Sequence, residues 1–259
     1  MVRCSQSANP RNAVVAGKES ESLVLWGGFI LLIYYYMNDK GKPLQITEQD
    51  ILKWCYASFP RWWITDRRSK LKQCLPEMAK SFNQEDYSLE EFAIVMAQLT
   101  HESGGFWYLV EQKSDAWCER NYGRHSRVGK KLGNVNSGDG AKFKGRGVIQ
   151  LTGRKNYTEF QEATGIQCVD NPQLIEEPEN AVKAAFWYLR TYVVSDTKRT
   201  PRQIAQDSTL SPSQKMRRVT GSILAGEEHI TDATLAKGHG DKREKYTKWF
   251  FNAVGLTYA

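Results

Sequence analysis

The chain has 259 residues, 41% of them hydrophobic, and a formal net charge of +7. That length holds a domain of roughly 200 residues plus an extension. The five cysteines (Cys4, Cys55, Cys74, Cys118 and Cys168) are odd in number and scattered. They exclude a disulfide framework and point to synthesis in a reducing compartment, with a single bridge left open for a chain that ends outside the membrane.

Leu23 to Met37 runs without a charge. It falls short of the roughly 20 apolar residues that a spanning helix needs. Arg3, Arg11 and Lys18 precede it, diluted by Glu19 and Glu21, and Asn38-Asp39-Lys40 follows in place of a small-residue cleavage site. Three readings stand. It is an uncleaved anchor giving membrane association, a buried element of the domain, or sequence upstream of a working start at Met37. Residues 1–42 are therefore set apart as an extension, with the segment 23–37 inside it, and 43–259 as the folded domain.

Past the extension the pattern turns helical. Thr47 caps a helix whose first turn holds Glu48 and Asp50, with Ile51, Trp54, Cys55 and Phe59 apolar and Pro60 as the stop. Leu71, Cys74, Leu75, Met78 and Phe82 predict a second helix, kinked at Pro76. Trp62 and Trp63 offer rings for sugar stacking or, as the plainer reading, for packing. Ser88 and Glu91 have capping-box spacing, and Leu89, Phe92, Ala93, Met96 and Leu99 then recur at helical period. Gly104 and Gly105 break this helix just after His101-Glu102-Ser103. Glu102 thus sits on a rigid element, beside apolar neighbours, where the backbone opens. Such a carboxyl suits a general acid, although a water-facing helix-end glutamate has the same local pattern.

Val148 to Leu151, flanked by glycines, predicts a short strand. Tyr157, Phe160 and Ala163 form a helical stripe closed by Gly165. Pro178 and Ser211-Pro212 start two further helices, and Tyr246, Trp249, Phe250 and Ala253 line the last.

Two stretches, Ala97 to Phe106 and Phe143 to Tyr157, together resemble glycoside hydrolase family 19, which includes chitinases and many phage endolysins. The first fits the pattern Ala-Gln-x-x-His-Glu-(Ser/Thr)-Gly-Gly. The second fits (Tyr/Phe)-(Arg/Lys/Tyr)-Gly-Arg-Gly-x-Ile-Gln-Leu-(Ser/Thr)-x-x-x-Asn-Tyr. Asn171-Pro172-Gln173-Leu174 with the aromatic run Phe186-Trp187-Tyr188, and Arg217-Arg218-Val219-Thr220-Gly221, agree in order and spacing. Thr220 stands where the family pattern has asparagine. The resemblance covers roughly residues 88 to 255.

The resemblance implies a mainly α, lysozyme-like fold with a small β-hairpin beside the cleft. It also implies hydrolysis of β-1,4 bonds in an N-acetylated glycan. That chemistry takes two carboxyls of different proton affinity. Glu102 is implied as the acid and Glu111 as the base of an inverting reaction, while Glu119 or Asp115 takes the second role if a longer insertion separates the pair. Gln150, Thr152, Asn156, Tyr157, Arg146 and Thr220 are implied as substrate-binding positions. Amide and hydroxyl groups suit that work because they both donate and accept. Arg146 pairs with a catalytic carboxylate or is a surface charge. His101 points to a different side of the helix from Glu102 and reads as structural.

The four histidines lack metal-ligand spacing, so no metal and no cofactor is expected. Basic residues crowd the stretch from Lys113 to Lys155, among them Arg120, Arg124, Arg127, Lys130 and Lys131. Such a patch attracts polyanions. No zinc-ligand or helix-turn-helix pattern accompanies it, so a specific nucleic-acid partner is not expected. Peptidoglycan and its attached polymers are anionic, whereas chitin is not. The expected function is therefore an endolysin-type lysozyme of the bacterial wall, made in the cytoplasm and acting as a monomer at the wall. The alternatives are a chitinase, a secreted antibacterial effector, and a wall-binding protein with a decayed site.

Overall fold

The computed structural model describes residues 45–59 and 61–259, and of residues 61–68 the backbone only. The segment 23–37, the boundary near residue 42 and the rings of Trp62 and Trp63 lie outside what it describes.

Helix α1 (Glu48–Ser58) starts at Thr47, whose hydroxyl accepts from the Asp50 amide while the Asp50 carboxylate accepts from the Thr47 amide. Helix α2 (Arg61–Gln84) is longer than the sequence pattern predicts, running through Pro76 from a start at Arg61. Helix α3 (Leu89–Glu102) carries the predicted capping box on Ser88 and Glu91. Phe92, Ala93, Met96 and Leu99 are fully buried on it. Each such large apolar side chain contributes about 2 kcal/mol by leaving water.

A smaller lobe follows, made of α4 (Asp115–Tyr122), α5 (Arg127–Lys131) and α6 (Asp139–Lys142). Its backbones touch. A Cβ at Gly140 would lie 2.6 Å from the Gly123 nitrogen, so only glycine fits there. Helix α7 (Arg154–Thr164) ends at Gly165, which takes the left-handed conformation (φ 76°). Tyr157 and Phe160 are its buried face, and Ala163 of the predicted stripe is exposed. A 3₁₀ turn at Pro172–Glu176 leads into α8 (Pro178–Thr191). Helices α9 (Pro201–Ala205), α10 (Pro212–Ala225), α11 (Asp232–Lys237) and α12 (Gly240–Ala253) complete the chain, with α10 starting at Ser211 as its cap pattern predicts.

The core forms where α12 lies along α3 and α1 and where α10 closes on α12 and α3. Phe92 is its centre, with ring centroids at 4.8 Å from Trp54 and from Phe82, and at 6.1 Å from Phe250. These are edge or tilted contacts, as the ring quadrupoles favour.

The fold is mainly α, as expected, but the predicted strand at Val148–Leu151 and its hairpin are not formed. Among the described residues there are only two isolated bridges, Val110 to Arg146 and Arg146 to Leu151. Gly147 (φ 75°) and Gln150 (φ 57°) turn the chain twice within four residues, and no ladder survives two left-handed residues that close together. The four described cysteines are buried free thiols. Among the described residues no helix is long and apolar enough to cross a membrane.

Candidate active site

Helix α3 ends at Glu102, and the chain turns immediately. Ser103 Oγ donates to the Leu99 carbonyl at 2.6 Å and accepts from the Phe106 amide at 2.7 Å. Gly104, Gly105 and Phe106 are all left-handed, with φ of 57°, 77° and 63°. This reversal sends Tyr108 and Glu111 back along the same cleft that Glu102 lines.

The Glu102 side chain is 19% exposed, and its Oε1 accepts from Arg243 Nη2 at 2.5 Å. Arg243 comes from α12 and is 2% exposed. Its Nη1 donates to Gln98 Oε1 at 2.6 Å, and its Nε to the Gly238 carbonyl at 3.0 Å. Gln98 Nε2 donates to Thr220 Oγ1 at 3.0 Å. One polar chain therefore runs through the core from Thr220 on α10 through Gln98 to Arg243 and Glu102. It leaves Glu102 Oε2 without a protein partner among the described residues. Arg243 is a positioning residue that the sequence reading missed. The signal was present: it lies one helical turn before Tyr246 and Thr247, a charge on the buried side of the last helix.

Glu111 lines the same cleft, a cavity of about 410 Å³ bounded also by Tyr108, Tyr122, Gly145, Gln150, Thr152, Ile223 and Leu224. The Glu111 amide donates to the Gly145 carbonyl at 2.8 Å, and its Oε1 accepts from the Lys113 amide at 3.1 Å. The Tyr122 phenol is pushed up to about 12, first by burial and then by the Glu111 charge, so it stays a hydroxyl donor. The rival carboxylates are engaged elsewhere. Glu119 accepts from the Gly138 and Ala141 amides at 3.1 and 3.3 Å, tying α4 to the start of α6. Asp115 is exposed and pairs with Lys144 at 2.8 Å, which holds its carboxyl below the usual range. Neither lines the cleft.

Gln150 and Thr152 stand beside the two glutamates. Gln150 takes φ 57°, a left-handed conformation costing about 1–3 kcal/mol in a non-glycine residue. Its Nε2 donates to the Gly147 carbonyl at 2.9 Å, and Thr152 Oγ1 donates to the Gln150 carbonyl at 2.8 Å. A Cβ on Gly145 would come within 2.8 Å of Gln150 Oε1 and 3.3 Å of Thr152 Oγ1, so glycine there keeps both side chains in place. Asn156 donates to the Thr152 carbonyl at 2.8 Å and faces an adjoining chamber.

Three predicted binding positions lie behind the cleft instead of in it. Arg146, 4% exposed, donates to Glu176 Oε1, to the Lys142 and Lys144 carbonyls and to the Tyr157 hydroxyl. It pairs with neither glutamate and is no surface charge; it ties the turn at 142–146 to the 3₁₀ segment. Tyr157 is fully buried and donates to the Lys144 carbonyl at 2.9 Å. It belongs to the apolar side of α7, while Asn156, one residue earlier, falls on the cleft side. Thr220 is fully buried against Gln98. The His101 ring is held neutral, its pKa lowered to about 3 by burial and then by the nearby Arg243, His239 and Lys242. It does not line the cleft.

The sequence model described as "Chitinase class I" of glycoside hydrolase family 19 matches residues 71–241, well over half of the chain. The chain belongs to glycoside hydrolase family 19. A family 19 domain-containing protein of Haemophilus influenzae is 30% identical over 127 residues, covering 40% of this chain and 63% of that protein. Endochitinase B of Nicotiana tabacum is 31% identical over 105 residues, 39% of this chain and 32% of that protein. The chain thus spans less than two thirds of the length of these curated relatives. Among solved structures, chitinase C from Streptomyces griseus superposes with a TM-score of 0.53 at 21% identity, over 83% of this chain and 78% of that one. A bacterial family 19 chitinase gives 0.54, also at 21% identity, over 83% and 97%. The two structures share the family 19 fold with this chain.

Proposed function

We propose that the protein hydrolyses β-1,4 bonds of peptidoglycan, with Glu102 as the acid and Glu111 as the base. The observation that carries this reading is that these two carboxyls share one cleft while Glu119 and Asp115 are bound outside it. Arg243 fixes one oxygen of Glu102, which leaves Oε2 to carry the proton for the leaving glycosidic oxygen. Glu111 takes a proton from a water that attacks the anomeric carbon from the other face of the sugar, and the configuration inverts. The Thr152 hydroxyl hydrogen is already committed to the Gln150 carbonyl, so Thr152 serves that water as an acceptor. Gln150 and Asn156 offer amides to the N-acetyl groups.

Charge favours wall glycan over chitin. The ion pairs of the stretch 113–155 are Lys144–Asp115, Arg146–Glu176, Arg154–Asp139 and Lys155–Glu159. Arg120, Arg124, Arg127, Lys130 and Lys131 remain exposed without an ion pair among the described residues. A lobe with that balance draws an anionic polymer. Action at the bacterial wall follows from the same reading, with the protein working as a monomer. The second reading is chitin hydrolysis, favoured by the relatives described as endochitinases. Product release from purified murein sacculi and from colloidal chitin separates the two. Soluble muropeptides from murein, absent with Glu102→Gln, are expected; release from chitin alone overturns the peptidoglycan reading.

A further inference from the structure

The catalytic cleft does not end at Thr152. Tyr122, Gln150, Thr152, Ile223 and Leu224 also line a second chamber of about 530 Å³ that opens beside it. The chamber is larger than the space around the two glutamates and differs from it in chemistry. Apolar side chains, among them Val128 and Leu132, form much of its wall, beside the polar Gln150, Thr152 and Asn156. Val128 is 47% exposed and Leu224 39% exposed, so both present apolar surface to whatever enters. Lys131 and Lys155 stand at its edge with Glu227. Lys131 has no ion pair among the described residues, and Lys155 reaches Glu159 only at 3.8 Å with its side chain 61% exposed.

A chitin strand has nothing for these charges. It carries hydroxyls and acetamides alone, and the amides of Gln150 and Asn156 match those. The second sugar of peptidoglycan differs by an ether-linked lactyl group that bears a short peptide. That substituent brings methyl groups, carboxylates and, at its diamino residue, an ammonium. The chamber offers apolar wall, two ammonium groups and one carboxylate in return. We infer that the chamber beyond Thr152 is the site for the lactyl-peptide branch of a muramic acid residue, with Lys131 and Lys155 meeting its carboxylates and Glu227 its ammonium. The inference rests on the peptidoglycan reading and adds how the enzyme selects that glycan.

The test compares wild type, the double variant Lys131→Glu/Lys155→Glu and the control double variant Arg124→Glu/Lys130→Glu. The control makes the same charge change, entirely on the small lobe and outside the chamber. Each is assayed on peptide-bearing murein and on a soluble chitin hexasaccharide. Exposed ion pairs are individually weak, so the Lys131/Lys155 variant should lose about fivefold in kcat/KM on murein and keep chitin turnover within about twofold. The control should fall clearly less on murein. Equal losses in the two variants reduce the effect to general attraction and overturn the inference, as does an unchanged Lys131/Lys155 variant. If wild type cleaves only chitin, the peptidoglycan reading itself has failed, which is a different result from either.

Discussion

The two halves of the catalytic cleft are built in opposite ways. Glu102 sits at the end of a fourteen-residue helix, and its carboxyl is anchored to a second packed helix through Arg243. Glu111, Gln150 and Thr152 sit outside the helices, held by hydrogen bonds to backbone and by the absence of a side chain at Gly145. As the proposed proton donor, Glu102 must be aimed at one atom, and packed helices supply that rigidity. The face that admits a sugar and a water is made of loops, where small changes of backbone shift several groups at once.

Substitutions can break this contrast. The largest effect is expected from Glu102→Gln, which keeps the hydrogen bond from Arg243 and loses the proton. Activity should fall by about 1,000-fold or more while thermal unfolding stays near wild type. Retained turnover by a folded variant would falsify the acid assignment. Glu111→Gln should lose about 100-fold or more, whereas Glu119→Gln should keep turnover and lose about 1 kcal/mol of stability through its weakened hold on the Gly138 and Ala141 amides. The reverse pattern moves the base to Glu119.

The next pair of variants sharpens the difference between the halves. Arg243→Met leaves Gln98 and Glu102 without their shared partner inside the protein and should cost about 3 kcal/mol in chemical denaturation. Gly145→Ala should act the other way, lowering kcat by pushing Gln150 and Thr152 aside while the unfolding midpoint moves little. A large stability loss from Gly145→Ala, with kcat intact, would erase the distinction.

The smallest effect concerns pH. The His101 pKa is about 3 in the folded protein against an ordinary value of 6.5. The unfolded chain therefore binds more protons between these limits, and stability rises with pH across that window and is flat above it with respect to this group. Thermal unfolding measured from pH 4 to pH 7 should show a shallower slope for His101→Gln than for wild type. Parallel slopes would remove His101 from the acid sensitivity.

The legible parts of the sequence are those whose causes are local. Ser88 with Glu91, Thr47 with Asp50 and Ser211 with Pro212 each start a helix where the pattern places one, because a cap needs only residues three apart. Glu102 was legible for the same reason, as the last residue before a glycine break. The burial of Arg243 had a local signal, but its partners Glu102 and Gln98 were hidden because they lie 141 and 145 positions away. Arg146, Tyr157 and Thr220 were placed at the sugar by their position in a motif, and the fold turns each inward. A polar side chain read in sequence does not say which side of the backbone it takes, and Tyr157 beside Asn156 shows how one residue reverses it. The hairpin failed on Gln150, whose left-handed backbone no residue-type preference announces.

The hydrogen bond between Glu102 and Arg243 also sets an order in time. A ribosome delivers Glu102 long before α12, so the nascent chain carries its acid on a helix whose apolar side still lacks Phe250 and whose carboxyl still lacks its cation. The Glu102 carboxyl acquires its partner only when that helix docks. A glycoside hydrolase assembled in this order completes the Glu102 side of its cleft only once α12 is in place.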